Sequence, residues 1–194
     1  MSALISTAAR RGFLARSAQT GLSAAAIGLL AGQSGLARAQ SSAASEADAQ
    51  ILNTALSLEH EAINAYQLGA GSGLLQKPVL AVALQFQAHH KAHRDALIAT
   101  LNKLGAKPIG ERSLDDYARA LSANSLKNQA DVLGLAARLE LGAINAYLGV
   151  IPAFKDHALA QVAARLAADE TLHWTVLTQA LGQALPSGAL SFGG

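Results

Sequence analysis

The stretch Leu58-Glu59-His60-Glu61-Ala62-Ile63-Asn64-Ala65-Tyr66 returns 81 residues later as Leu139-Glu140-Leu141-Gly142-Ala143-Ile144-Asn145-Ala146-Tyr147. The Leu-Glu pair and the run Ala-Ile-Asn-Ala-Tyr are identical in both copies. The segments that follow also match, at an offset of 80: Val82, Ala83, His93, Leu97 and Leu101 align with Val162, Ala163, His173, Leu177 and Leu181. The chain is therefore built from two similar halves. Each half offers Glu with Tyr seven residues on, then a second segment with a ligand-type residue and His three residues on: His90 and His93 in one, Glu170 and His173 in the other.

Around these segments the apolar residues recur at helical spacing, as Ile51, Ala55, Leu58, Ala62 and Ala65 do. Ala and Leu dominate the composition and aromatics make up only 4 %, a bias that favours helix. Long helices are predicted over about 47–68, 78–104, 126–150 and 157–185. Gly69–Gly73 and Gly105 act as stops, Pro78 suits a first turn, and Pro152 and Pro186 close the last two. Between 106 and 124 lies the longest connection, where Ser113-Leu114-Asp115-Asp116 resembles a capping box and predicts a short helix near 114–122. Short links make each pair of helices an antiparallel hairpin, and the long link can run back along the bundle. The expected fold is all-α: a four-helix bundle of two hairpins joined by one long crossover containing a short helix.

Seven residues is nearly two helical turns, so Glu59 and Tyr66 share a stripe, as do Glu140 and Tyr147. A spacing of three also shares a face, so Glu170 and His173 can converge on one ion. Phe86, His90, His93 and Leu97 fall in line, as do Leu166, Glu170, His173 and Leu177. Ionisable groups on a core stripe are costly unless paired or metal-bound.

Glu on two helices with Glu-x-x-His on the other two resembles the di-iron carboxylate pattern of the ferritin-like superfamily. The segment Ile51–Glu61 is similar to the first helix of bacterial ferritin-like proteins that carry twin-arginine signals, and the likeness spans roughly 47–185. It implies a metal centre at Glu59, His90, His93, Glu140, Glu170 and His173, with iron, mono- or dinuclear, as the metal and an oxidoreductase role in oxygen or peroxide chemistry. The first half departs from the pattern: His90 stands where Glu is wanted, or Gln87 precedes His90 if the helix slides by three. One bridging carboxylate is missing in either register. A more nitrogen-rich donor set tilts toward a single ion, or toward zinc or copper.

Other residues read more plainly. His60, Glu61 and His89 belong to solvated faces, Tyr66, Tyr147 and Trp174 to packing, though a phenol near a metal can also support its ligands, and His157 is incidental at a helix start. No Ser/His/Asp arrangement, phosphate-cradling loop or dinucleotide fingerprint is present. Cys is absent, which excludes disulfides and thiolate chemistry.

At the N-terminus, Arg10-Arg11-Gly12-Phe13-Leu14 resembles a twin-arginine export motif. The apolar stretch Gly21–Gly32 and the small-x-small site Ala37-Arg38-Ala39 complete a signal peptide over 1–39, cleaved after Ala39; an uncleaved N-terminal anchor is the alternative reading. A linker at 40–46, the bundle at 47–185 and a loose tail at 186–194 follow. Export would make the protein periplasmic or otherwise exported and the twin-arginine machinery its partner. Four of the 15 basic residues precede residue 40, leaving 11 against 13 acids, a net charge of −2. No basic face for nucleic acid remains. The rival expectation is a metal-free bundle serving as a structural or interaction module in the cell envelope.

Overall fold

A chain so rich in Ala and Leu makes helices readily, and the computed structural model describes the backbone of residues 34–193, with side chains from 42, as helices and connections without a strand among them. The helices are α1 (Ser34–Gly71), α2 (Lys77–Lys103), α3 (Leu114–Ala120), α4 (Gln129–Val150) and α5 (His157–Ala180), with 3-10 turns at Ala123–Ser125 and Ile151–Ala153. The chain divides into Met1–Ala43 and Ala44–Gly194, and the bundle belongs to the second part. The arginine pair and apolar stretch read as an export signal lie outside the described residues.

Two boundaries differ most from the sequence reading. α1 begins at Ser34, so residues 40–46, set apart as a linker, are helical. From Leu36 to Leu68 there is neither Gly nor Pro, and nothing in the backbone stops the helix. α5 ends at Ala180 rather than Leu185, because Gly182 takes φ +69° and its N–H bonds back to Gln179 O while Gln183 N–H reaches Thr178 O. That is a Schellman closure, and it acts before Pro186 can. Gly105 ends α2 in the same way, with φ +73°. The tail is tied down rather than loose: the Phe192 ring packs on Trp174 with centroids 5.3 Å apart, and Gly193 N–H donates to Asn145 at 2.9 Å.

Helix directions follow from the core. Leu52 and Leu56 of α1 share one apolar cluster with Leu97 and Leu101 of α2, Tyr147 of α4, and Leu159 and Leu166 of α5. Tyr66, Phe86, Leu133, Ala136, Ala137 and Leu177 form another cluster. α1 and α5 thus run from the first cluster to the second, and α2 and α4 run back. The crossover must travel the length of the bundle between α2 and α4. Asn53 holds it by bonding Lys107 O and Ile109 N–H, and Asn64 holds it farther along α1 by bonding Glu111. Asp48 accepts the N–H groups of Lys155 and Asp156 at 2.8 and 3.0 Å, fixing the turn between α4 and α5. α4 with the turn after it has the length and hydropathy of a membrane span; here it is a bundle helix with Glu140 on its inner face.

Candidate metal centre

The two apolar clusters leave a layer between them, and the polar groups of the repeat fill it. Glu59 from α1, His90 and His93 from α2, Glu140 from α4, and Glu170 and His173 from α5 are all buried, none more than 8 % exposed. All six side chains that the sequence singled out are brought together. Their donor atoms form two four-membered groups able to hold a metal ion, Glu59–His90–His93–Glu170 and His90–Glu140–Glu170–His173. His90 and Glu170 belong to both.

His90 Nδ1 lies 2.9 Å from Glu59 Oε2, and its Nε2 lies 3.2 Å from Glu140 Oε1. His173 Nδ1 lies 2.9 Å from Glu170 Oε2 and 3.5 Å from Glu140 Oε1. His93 Nδ1 stands 3.2 Å from Glu170 Oε1 and 3.6 Å from Glu59 Oε1, too far off line for a hydrogen bond to either. The register is settled by Gln87: its amide donates to Ile63 O and Gln67 at 3.0 Å each, away from the carboxylates. His90 and His93 are the inward pair on α2.

Charge follows from this packing. Burial alone would raise the Glu59 carboxyl, but the hydrogen bond from His90 and the nearby charges of His90 and His93 bring it down to about 2. Glu140 is likewise lowered by His173 and His90 against the effect of burial. Burial pushes the rings down, yet contacts with Glu170 and Glu59 raise His93 to about 10, and His90 and His173 also rise beside their carboxylates. Without metal the layer is a set of mutual ion pairs, with protons on the rings where a metal would bind.

The halves brace one another crosswise. Tyr66 of the first half donates its hydroxyl to Glu140 of the second, and Tyr147 of the second donates to Glu59 of the first. Burial and the adjacent carboxylates raise both phenols, which therefore stay protonated donors. Tyr66 and Tyr147 are buried and also hold the site carboxylates, the supporting role open to a phenol beside a metal. The outward nitrogens repeat the pattern: His93 Nε2 faces Asp169 at 3.3 Å, and His173 Nε2 faces His89 Nδ1 at 2.9 Å. His89 and Asp169 occupy matching places in the two halves, 80 residues apart. His89 was assigned to a solvated face; it is exposed at the rim but also touches the centre. His60, also assigned to solvent, is buried, with Glu111 at 4.0 Å. The offset that aligned His93 with His173 carried the signal for His89 and Asp169.

A family model for the ferritin-like domain matches residues 47–183. The chain belongs to the ferritin-like family. A solved structure of a conserved hypothetical protein from Mycobacterium tuberculosis resembles this ferritin-like chain, with a TM-score of 0.60 and 22 % identity over 76 % of this chain and 99 % of that one. That likeness is one of fold. No curated protein matches the chain.

The residues of this ferritin-like centre fit a metal. Among the described residues, His93 Nδ1, Glu140 Oε2 and Glu170 Oε1 are buried without hydrogen-bond partners. Unsatisfied buried donors and acceptors cost about 1–3 kcal/mol each, and all three atoms belong to residues of the two donor groups, which metal binding would draw on. A partly open cavity of about 160 Å³ reaches Glu59, His90, Glu140 and Glu170 between α1 and α4, beside Glu61 and Gly142. A larger cavity of about 190 Å³ meets the centre only through Tyr66 and is otherwise lined by nonionisable residues; the chemistry belongs to the smaller one.

Proposed function

We propose that this ferritin-like domain is an exported metalloprotein that carries out iron-dependent oxygen or peroxide chemistry at the carboxylate–histidine centre. One observation carries the reading: four helices supply six buried donors in two groups that share His90 and Glu170. Glu59, His90, His93, Glu140, Glu170 and His173 would hold the metal. When bound, iron supplies redox and Lewis-acid chemistry and an open coordination position for a small oxidant. The protein's part is support and access. Tyr66 and Tyr147 orient Glu140 and Glu59, Asp169 and His89 fix the outward nitrogens of His93 and His173, and the 160 Å³ cavity admits a small molecule to the carboxylates.

The test is to load metal-stripped protein with Fe²⁺ under nitrogen and mix it with O₂ or H₂O₂. Oxidant consumption faster than that of free Fe²⁺, lost in a Glu140→Ala, His173→Ala variant, is expected; rates equal to free Fe²⁺ contradict the reading. Export rests on Arg10-Arg11 and the small-residue site before Gln40. Replacing both arginines with Lys should retain the protein in the cytoplasm, and undiminished export would remove that part of the proposal.

The rival, a metal-free structural module, draws on the mutual neutralisation of carboxylates and rings in the same layer. The unpartnered atoms weigh against it.

A further inference from the structure

The missing carboxylate has a replacement whose geometry differs from what it replaces. His90 aligns with Glu170, and both belong to the two donor groups. Glu170 gives one oxygen to each: Oε1 lies 3.2 Å from His93 Nδ1, and Oε2 lies 2.9 Å from His173 Nδ1. His90 does the same with its ring nitrogens, Nδ1 toward Glu59 at 2.9 Å and Nε2 toward Glu140 at 3.2 Å. Two donors on one ion, with bonds of ~2.0–2.2 Å meeting near a right or tetrahedral angle, stand roughly 2.8–3.6 Å apart. Each ring nitrogen of His90 thus sits at the separation from a different carboxylate that shared coordination requires.

We propose that His90 is a bridging ligand joining two divalent transition-metal positions. The first position takes His90 Nδ1, His93 Nδ1, Glu59 and Glu170 Oε1. The second takes His90 Nε2, His173 Nδ1, Glu140 and Glu170 Oε2. This rests on the metal-binding reading above and adds to it the number and linkage of the ions. A neutral imidazole has one lone pair and one N–H. In the metal-free layer the ring carries a second proton, so the first metal–nitrogen bond forms as that proton passes to solvent, and the second forms as the remaining N–H bond breaks and its proton follows. Bridging through a ring holds two ions roughly 6 Å apart, against about 3.5–4 Å in ordinary two-metal sites. Nitrogen donors at both positions favour ions late in the divalent series, copper above all.

Copper supplies the test, because two Cu²⁺ spins joined by an imidazolate couple magnetically. Metal-stripped full-length chain is titrated with Cu²⁺, and bound copper and integrated electron paramagnetic resonance intensity are followed together. The expected result is two Cu²⁺ per chain, with intensity rising through the first equivalent and falling through the second. In His90→Gln, checked for helix content by circular dichroism, the fall should vanish. One bound Cu²⁺, two with additive intensity, or coupling that survives in a folded His90→Gln chain overturns the bridge and leaves metal binding standing. No copper bound to the native chain overturns both. If His90→Gln does not fold, the native chain's intensity decides.

Discussion

Each carboxylate contributed by α1 and α4 is held by a phenol from the other half of the chain, so Tyr147 can be tested separately from the ligands. Tyr147→Phe removes the donor to Glu59 and leaves that carboxylate free to turn. Metal affinity should fall about 10- to 100-fold, as removal of such supporting contacts typically does, with the six ligands intact; competition against a chelator measures it, and unchanged affinity would make Tyr147 mere packing. Protonation gives a second prediction at this scale. Glu59 is lowered from 4.5 to about 2, so its contribution to stability is full above 4.5 and lost as pH falls toward 2. His93 is raised from 6.5 to about 10, so its contribution is full below 6.5 and lost as pH rises toward 10. The metal-free protein should resist urea best between roughly pH 4.5 and 6.5. Metal must displace the ring protons, so binding should weaken as pH falls. A flat urea midpoint from pH 3 to 9 would contradict the ion-pair description.

Helices set where these residues sit. Leu56, fully buried one turn below Glu59, anchors α1 in the apolar cluster beneath the polar layer. Leu56→Ala should cost about 2–5 kcal/mol in denaturant unfolding, and a loss under 1 kcal/mol would show that the cluster yields easily. Gly182→Ala forces a side chain into the left-handed closure of α5 and should cost about 1–2 kcal/mol. What the sequence revealed at this scale depended on period. The Ala-Ile-Asn-Ala-Tyr repeat and the i, i+3 pairs report which residues share a stripe, so the helix order, the crossover and the inward groups could be read directly. Period does not report how near the next helix stands. His89 therefore reads as solvent-facing although the ring of His173 waits at the rim, and His60 reads as exposed although it is buried, with Glu111 of the crossover beside it. The early start of α1 and the Gly182 stop leave no mark on the apolar period, because a small polar segment can be helical by propensity alone and a glycine closes a helix through its left-handed conformation.

At the scale of the whole molecule, two apolar clusters enclose a layer of opposed charges drawn from both halves of a duplicated chain. Such a layer is costly to bury and supplies more donors than its own hydrogen bonds use, a combination that metal binding explains. Metal bound to the folded form alone must also stabilise it. The melting temperature of the stripped protein should rise on reloading and should not rise in Glu140→Ala, His173→Ala. The most direct measurement is metal per chain by elemental analysis, after expression in metal-replete medium, for the native protein and for that double variant. The account requires at least one transition-metal ion per native chain and only traces in the variant. Equal metal content in the two, whether substantial or trace, would contradict it.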